Sequence, residues 1–294
     1  CTPAFEEFEL LAKKSGPDIK NEIYYFKDKS GRELGLRFDP TVPICRIVAA
    51  NSSFPKPIKF YYITNMWRYD QPGKGRWREF WQAGLELIGS SKPEADAEIL
   101  TVTKDLLESV GIKDFYFRIN SRKVVEALVK KAGITERKKF DAFRAIDKLS
   151  KIGETEVGKE LERYGIKEGN KLLSLIKKNE APKEEVRELE EIIDRAKLFG
   201  VKNVKIDLSI VRGIDYYTGF VFETFVKGSE EMGSVCSGGR YDTLIKIYGG
   251  EDLPATGFGL GIDRVMEVLK ERKDYYPADV FVAAVNDEVR DKVI

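Results

Sequence analysis

Four basic residues gather around one short turn, Arg68, Lys74, Arg76 and Arg78, with the aromatic Phe80 just beyond them. Guanidinium forks suit the paired oxygens of a polyphosphate, and an aromatic ring suits the flat face of a base. The turn reads Asp-Gln-Pro-Gly-Lys-Gly-Arg over residues 70–76, where Pro72, Gly73 and Gly75 enforce a reversal of direction. Residues 59–68 before it are rich in aromatic and β-branched types and read as a strand. After it the chemistry is sorted by parity: Phe80, Gln82, Gly84 and Glu86 share one face of a second strand, and Trp81, Ala83, Leu85 and Leu87 share the other. The apolar face is expected to pack and the polar face to read a ligand. A basic hairpin that only keeps the chain soluble is the plainer alternative, but it has no need of Gln82 and Glu86 on the face of the arginines.

Other chemistries are excluded by composition. The chain of 294 residues contains no histidine, so Ser-His-Asp hydrolysis, Cys-His catalysis and His-based zinc sites cannot be assembled within it. Carboxylates, arginines, tyrosines and magnesium remain. Cys1, Cys45 and Cys236 have neither metal-ligand spacing nor a plausible disulfide framework, as expected for small buried residues in a reducing cytosol. Lys+Arg 50 against Asp+Glu 49 gives a net charge of +1, so any nucleic-acid binding must come from local basic patches. No long apolar run and no signal-peptide pattern occurs, which points away from a membrane and toward a cytoplasmic protein. The 34% charged content with only 3 Met resembles proteins of heat-loving organisms.

The elements that must position these residues alternate between helix and strand. Residues 3–14 are amphipathic and read as a helix, 24–26 and 35–38 as short strands, and 41–50 as a helix. A longer helix begins with Pro93 in its first turn, carries Glu94, Asp96 and Glu98 early, and stops before Gly111; a strand over 114–120 follows. Residues 121–200 change character, with charged helical-period segments over 122–132, 138–149, 165–178 and 183–198 and no convincing strand. Strand character resumes over 204–207 and 218–225. The fold expected is α+β, an antiparallel sheet flanked by helices. Its divisions are a first part of a core (1–120), an all-helical insertion (121–200), a second part of the core (201–275) and the start of a truncated α/β segment (276–294). In that last segment, 278–285 reads as a buried parallel strand.

Three further motifs add to the hairpin: Val211-Arg212-Gly213-Ile214-Asp215-Tyr216-Tyr217-Thr218-Gly219, Gly238-Gly239-Arg240-Tyr241-Asp242, and the run from Ala255 through Gly257, Gly259 and Gly261 to Asp263 and Arg264, a strand leading into a helix. Together with the hairpin, which resembles motif 2 of the class II aminoacyl-tRNA synthetases, these motifs resemble the histidyl-tRNA synthetase family over nearly the whole chain. Pro3-Ala4-Phe5-Glu6 looks like the tail of that class's motif 1, whose dimer-forming helix would lie upstream. The segment after Ala278 looks like the opening of an anticodon-binding domain.

The resemblance implies histidine, ATP and tRNA(His) as substrates, magnesium as an aid and a homodimer in the full-length protein. It implies activation of histidine to histidyl-adenylate, then transfer to the tRNA 3′ end. Arg68 would hold the ATP α-phosphate, with Arg212 as a second, mobile catalytic cation. Arg76 and Arg264 would meet the outer phosphates, Phe80 would stack on adenine, and Asp70 would accept from its amine, although the family often has Glu there. Glu86 and Tyr217 would take the two imidazole nitrogens, Tyr241 would close the pocket, and Asp39, Thr41 and Gln82 would meet the α-amino group. Tyr216 is better placed in the core, and Tyr217, Tyr241 and Arg264 also admit purely structural readings. The insertion is either a solvated helical bundle or a clamp on the tRNA acceptor arm. A second functional class stays open: a catalytically inactive paralogue that serves as regulatory subunit of ATP phosphoribosyltransferase. Arg212, the Lys74-Gly75-Arg76 loop and Arg264 speak against it.

Overall fold

The basic hairpin is the edge of a seven-stranded sheet. The structure is a computed structural model that describes residues 2–13, 20–211 and 216–269. Strands β4 (Ile58–Trp67) and β5 (Glu79–Ile88) pair antiparallel, with Tyr62 opposite Gly84 and Trp67 opposite Glu79. Next to β5 lies β10 (Ala255–Gly261), followed in space by β9 (Cys236–Arg240), β8 (Phe220–Val226), β6 (Phe115–Ser121) and β7 (Val204–Ile206). Every neighbouring pair is antiparallel except β6 with β7. A smaller sheet, β1 (Phe5–Glu7), β3 (Glu33–Leu36) and β2 (Tyr25–Lys27), precedes it, with α1 (Phe8–Ala12) and α2 (Thr41–Ala49).

Helix α3 (Pro93–Ser109) starts where the sequence places it, with Pro93 in the first turn and Glu94 and Asp96 near the positive end of the helix dipole. It packs behind β9 and β10. Its Ile99, Leu100 and Leu107 join Phe117, Phe220 and Phe222 of the central strands in one apolar cluster. Asp96 is buried and accepts from Arg240 Nε at 3.1 Å and Nη2 at 2.7 Å, so the arginine of the Gly-Gly-Arg-Tyr-Asp motif ties β9 to α3. Between β6 and β7 the chain forms α4 (Arg122–Ala132), α5 (Lys139–Asp147), α6 (Leu149–Arg163), α7 (Gly169–Lys177) and α8 (Lys183–Leu198). Their buried residues, among them Leu128, Ile146, Leu172 and Ile192, continue the cluster behind the sheet. A short α9 (Leu244–Ile247) follows β9, and α10 (Ile262–Leu269) follows β10.

Three expectations change. Residues 3–14 are not a single helix: Phe5–Glu7 pair with β3, Phe5 opposite Leu36, before one and a half turns of helix begin. Helix α6 has no counterpart in the sequence reading, because only Val157 and Leu161 of its residues are buried and Gly153 breaks its helical dihedrals with φ +80°. The parity of β5 is as read and its apolar face packs, with Leu87 buried and Ala83 and Leu85 against the core, but the polar face is buried too and Trp81 stays outside the packing. The polar side chains Gln82 and Glu86 are buried, whereas Trp81 on the apolar face is 49% exposed. Strand β4 contributes Tyr61 and Ile63 to the same face as Trp81, at 84% and 63% exposed. The strand expected over 278–285 lies outside the described residues.

Candidate active site

Glu86 stands at the floor of a cleft of about 870 Å³. Strand alternation points it to the concave face of the sheet, and glycine on the neighbouring strand leaves it room. A Cβ on Gly257 would lie 1.9 Å from Glu86 Oε2, and a Cβ on Gly259 would lie 2.0 Å from Gln82 Nε2. The glycines of β10 are therefore what lets two polar side chains of β5 lie across the sheet.

The carboxylate is held by neutral donors. Thr41 Oγ1, at the start of α2, donates to Glu86 Oε1 at 2.7 Å, and Tyr241 OH donates a short hydrogen bond to Oε2. Burial at 1% exposure raises the Glu86 pKa from 4.5 to about 8; the Tyr241 and Thr41 hydroxyls oppose that rise and nearby Asp39 adds to it. Asp39 Oδ1 accepts from the Thr41 N–H at 2.6 Å and its Oδ2 from Tyr216 OH at 3.1 Å. Gln82 Nε2 donates to Tyr62 OH at 2.9 Å, and that hydroxyl reaches the Phe258 carbonyl at 3.3 Å. Burial also pushes the Cys45 thiol well up, with Glu86 and Asp39 adding to it, so this cysteine packs as a neutral side chain.

The other end of the cleft is cationic. Arg68, the last stop before the turn, donates Nε to the Phe38 carbonyl at 3.1 Å, and its guanidinium carbon lies 5.0 Å from the Phe80 ring centroid. Asp70, Lys74 and Arg76 line the same cleft. The turn is closed by Gly73 N–H to Arg76 O at 3.0 Å and Arg76 N–H to Gly73 O at 2.9 Å, which presents Lys74 and Arg76 to solvent. Arg264, in the first turn of α10, reaches back to the turn: Nε donates to the Gly75 carbonyl at 3.3 Å and Nη1 to the Ser234 carbonyl. Asp263 Oδ2 accepts from the Trp81 N–H at 2.7 Å and so joins α10 to β5.

The sequence-predicted residues Asp39, Thr41, Gln82, Glu86, Tyr217 and Tyr241 thus line a single cleft together with Arg68, Asp70, Arg76, Phe80 and Arg264. Arg212 lies outside the described residues. The Thr41 hydroxyl donates to Glu86 and keeps its lone pairs as acceptors. Tyr216 is buried as expected, yet it also bonds Asp39. Tyr62 and Asp263 had not been singled out. For Tyr62 the signal was available: the hairpin register sets it opposite Gly84, where no side chain competes for the space.

Comparison with known proteins agrees with this geometry. The family model of histidyl-tRNA synthetase matches residues 1–265. A histidine–tRNA ligase of Pyrobaculum aerophilum is 41% identical over 98% of this chain and 71% of its own length. One of Pyrococcus abyssi is 40% identical over 97% of this chain and 72% of its own length. Among solved structures, a histidyl-tRNA synthetase from a Nostoc species superposes with a TM-score of 0.76 at 30% identity, covering 99% of this chain and 73% of that one. A structure described as an ATP phosphoribosyltransferase regulatory subunit/histidyl-tRNA synthetase from Bacillus halodurans superposes with a TM-score of 0.78 at 26% identity, over 91% of this chain and 73% of that one. A buried carboxylate and several arginines lining one cleft, and a family match across the described core, lead to one assignment: the chain belongs to the histidyl-tRNA synthetase family.

Proposed function

We propose that this chain is the catalytic core of a histidine–tRNA ligase: it activates histidine with ATP to histidyl-adenylate and pyrophosphate, then transfers the histidyl group to the 3′ end of tRNA(His). The observation that carries the reading is the buried Glu86, bonded by Thr41 and Tyr241 at one end of a cleft whose other end is lined with arginines. An imidazole N–H donated to Glu86 gives that carboxylate the partner its burial lacks. Tyr217 takes the second ring nitrogen, and Asp39 and Gln82 receive the α-amino group. The histidine carboxylate then points toward Arg68 and attacks the α-phosphorus of ATP in line, while pyrophosphate leaves toward Arg76 and Arg264. Arg68 and Arg212 neutralise the charge that grows on the phosphate. Phe80 and Asp70 receive the adenine.

Magnesium fits as an ion carried mainly by nucleotide phosphates and water. Among the described residues no three His, Cys, Asp or Glu side chains form a metal cluster, and the cleft offers single carboxylates such as Glu223. Its chemistry there would be to share the charge of the outer phosphates. A homodimer is supported by the exposed apolar face of Tyr61, Ile63 and Trp81. Among the described residues no helix is long and apolar enough to cross a membrane, in keeping with a cytoplasmic protein. A regulatory subunit of ATP phosphoribosyltransferase would keep the histidine end of the cleft and leave the cationic wall without a task.

The test is histidine-dependent ATP–pyrophosphate exchange, with the other amino acids as controls. Exchange with histidine alone is expected, and Arg212→Ala should lower it by on the order of 100-fold or more. Histidine binding without exchange would favour the regulatory reading.

A further inference from the structure

The cleft continues past Glu86 along the same face of the sheet. One register row crosses all seven strands: Tyr62 lies opposite Gly84, Gly84 opposite Gly259, Gly259 opposite Ser237, Ser237 opposite Glu223, Glu223 opposite Arg118, and Arg118 opposite Lys205. Residues in one such row project to the same face. The outer half of the row therefore presents Glu223, Arg118 and Lys205 on the surface that holds Tyr62.

Beside this row, Tyr116 of β6 lies opposite Phe225 of β8, their ring centroids 5.7 Å apart and their planes 20° from parallel. The Arg118 guanidinium carbon sits 5.1 Å from the Phe225 centroid and the Lys205 ammonium 5.7 Å from that of Tyr116. Arg118 is fixed there, since Nε donates to Asp207 Oδ2 at 2.8 Å and Nη2 to Ser209 Oγ at 3.1 Å. Tyr116, Arg118 and Phe225 line the same cleft as Glu86, and Ser150 and Lys151, at the start of α6, line it from the insertion. Both rings are only half-buried. Stacked aromatic faces accept any base, and fixed cations meet the backbone that links the bases; single-stranded nucleic acid is bound by this combination.

We propose that Tyr116 and Phe225, with Arg118 and Lys205, seat the single-stranded 3′ nucleotides of a tRNA acceptor end on the sheet, with Lys151 above them. The identity of the RNA rests on the function proposed above; the platform itself rests on the register and the ring geometry. The strands that carry Glu86 and those that carry the rings belong to one sheet, so an RNA end seated there arrives on the face where an adenylate would form.

The experiment uses this chain and two RNA hairpins with the same stem, one ending in a four-nucleotide single-stranded overhang with CCA at its 3′ end and one blunt. Dissociation constants are measured by fluorescence anisotropy at several salt concentrations, beside histidine-dependent pyrophosphate exchange. The unaltered chain should bind the overhang hairpin about tenfold or more tightly than the blunt one, as stacking of at least one base implies. Tyr116→Leu should erase that preference, and the exposed substitution Lys205→Glu should reduce it and flatten the salt dependence, both with exchange retained. An unaltered chain without overhang preference, or Tyr116→Leu that keeps it, overturns the proposal. So does loss of exchange together with the preference, because the rings then serve the fold or the adenylation site. Overhang preference in a chain without exchange supports the platform and sinks the catalytic reading, so the two failures are distinct.

Discussion

Replacing Glu86 by glutamine isolates the energetic consequence of burying a carboxylate among neutral donors. The folded protein holds Glu86 at about 8, against 4.5 when unburied. Between those values the folded state binds more protons at this group than the unfolded state does, so its contribution to stability falls as pH rises from the unfolded value through 8. From the two values, ionisation of this one group should remove roughly 3 kcal/mol of stability between pH 5.5 and pH 9. Glu86→Gln keeps the volume and an oxygen acceptor but cannot ionise. The amide faces one of the two hydroxyls with the wrong polarity, which costs about 1 kcal/mol at every pH. Urea unfolding of both proteins across that range gives the difference curve, from which all other titrating groups cancel. The mutant should be the less stable protein at pH 5.5 and the more stable at pH 9. A flat difference curve would refute the claim that burial holds Glu86 protonated well above the usual carboxylate range.

Three other outcomes follow from the same geometry. If histidine and Glu86 share one proton in the complex, affinity should be level between roughly pH 6.5, where free imidazole titrates, and pH 8, and decline on either side; calorimetry at pH 7.2 in buffers of different ionisation enthalpy should find no net proton exchange. Gly257→Ala places a Cβ 1.9 Å from Glu86 Oε2 and 2.7 Å from the Leu85 carbonyl, so the KM for histidine in pyrophosphate exchange should rise by about tenfold or more, each factor of ten being 1.4 kcal/mol. Asp96→Asn strips the buried Arg240 of its closest counter-ion. The denaturant midpoint should drop by the equivalent of about 3 kcal/mol, while Asp242→Asn, whose partner contact is half-exposed, should cost far less.

The parts of this molecule that are written locally were legible. Parity along β5, the Pro72-Gly73 turn and the proline that opens α3 each act within a few residues, and the structure places them as read. The ligand-facing residues of the cleft were legible only because their motifs resemble a family. Their contacts were not: Thr41 meets Glu86 from 45 positions away and Tyr216 meets Asp39 from 177, distances over which no periodicity speaks. The exposure of Trp81 and the burial of the polar face of β5 depart from the expectation for a related reason. Trp81 belongs with apolar residues by type, yet β4 and β5 form the sheet's edge, and nothing in the described chain covers Tyr61 and Ile63 there. The polar face is buried as well because Gly257 and Gly259 let β5 side chains lie down on β10. Helix α6 escaped because two buried residues and a glycine break make almost no stripe.

The cleft separates its charges, and this separation constrains the ligand more than any single contact. Glu86 and Asp39 accept from hydroxyls and backbone, with no arginine or lysine among their hydrogen-bond donors in the described residues. A cation in that position would lower the Glu86 pKa and stabilise the fold, but it would also satisfy the carboxylate before any substrate arrived. The described donors to Glu86 are neutral, so on the proposed reading a ring that brings a proton completes the site, and a ring without nitrogen leaves a buried carboxylate no better off than before. The arginines, meanwhile, are oriented by backbone carbonyls, Arg68 by Phe38 and Arg264 by Gly75 and Ser234.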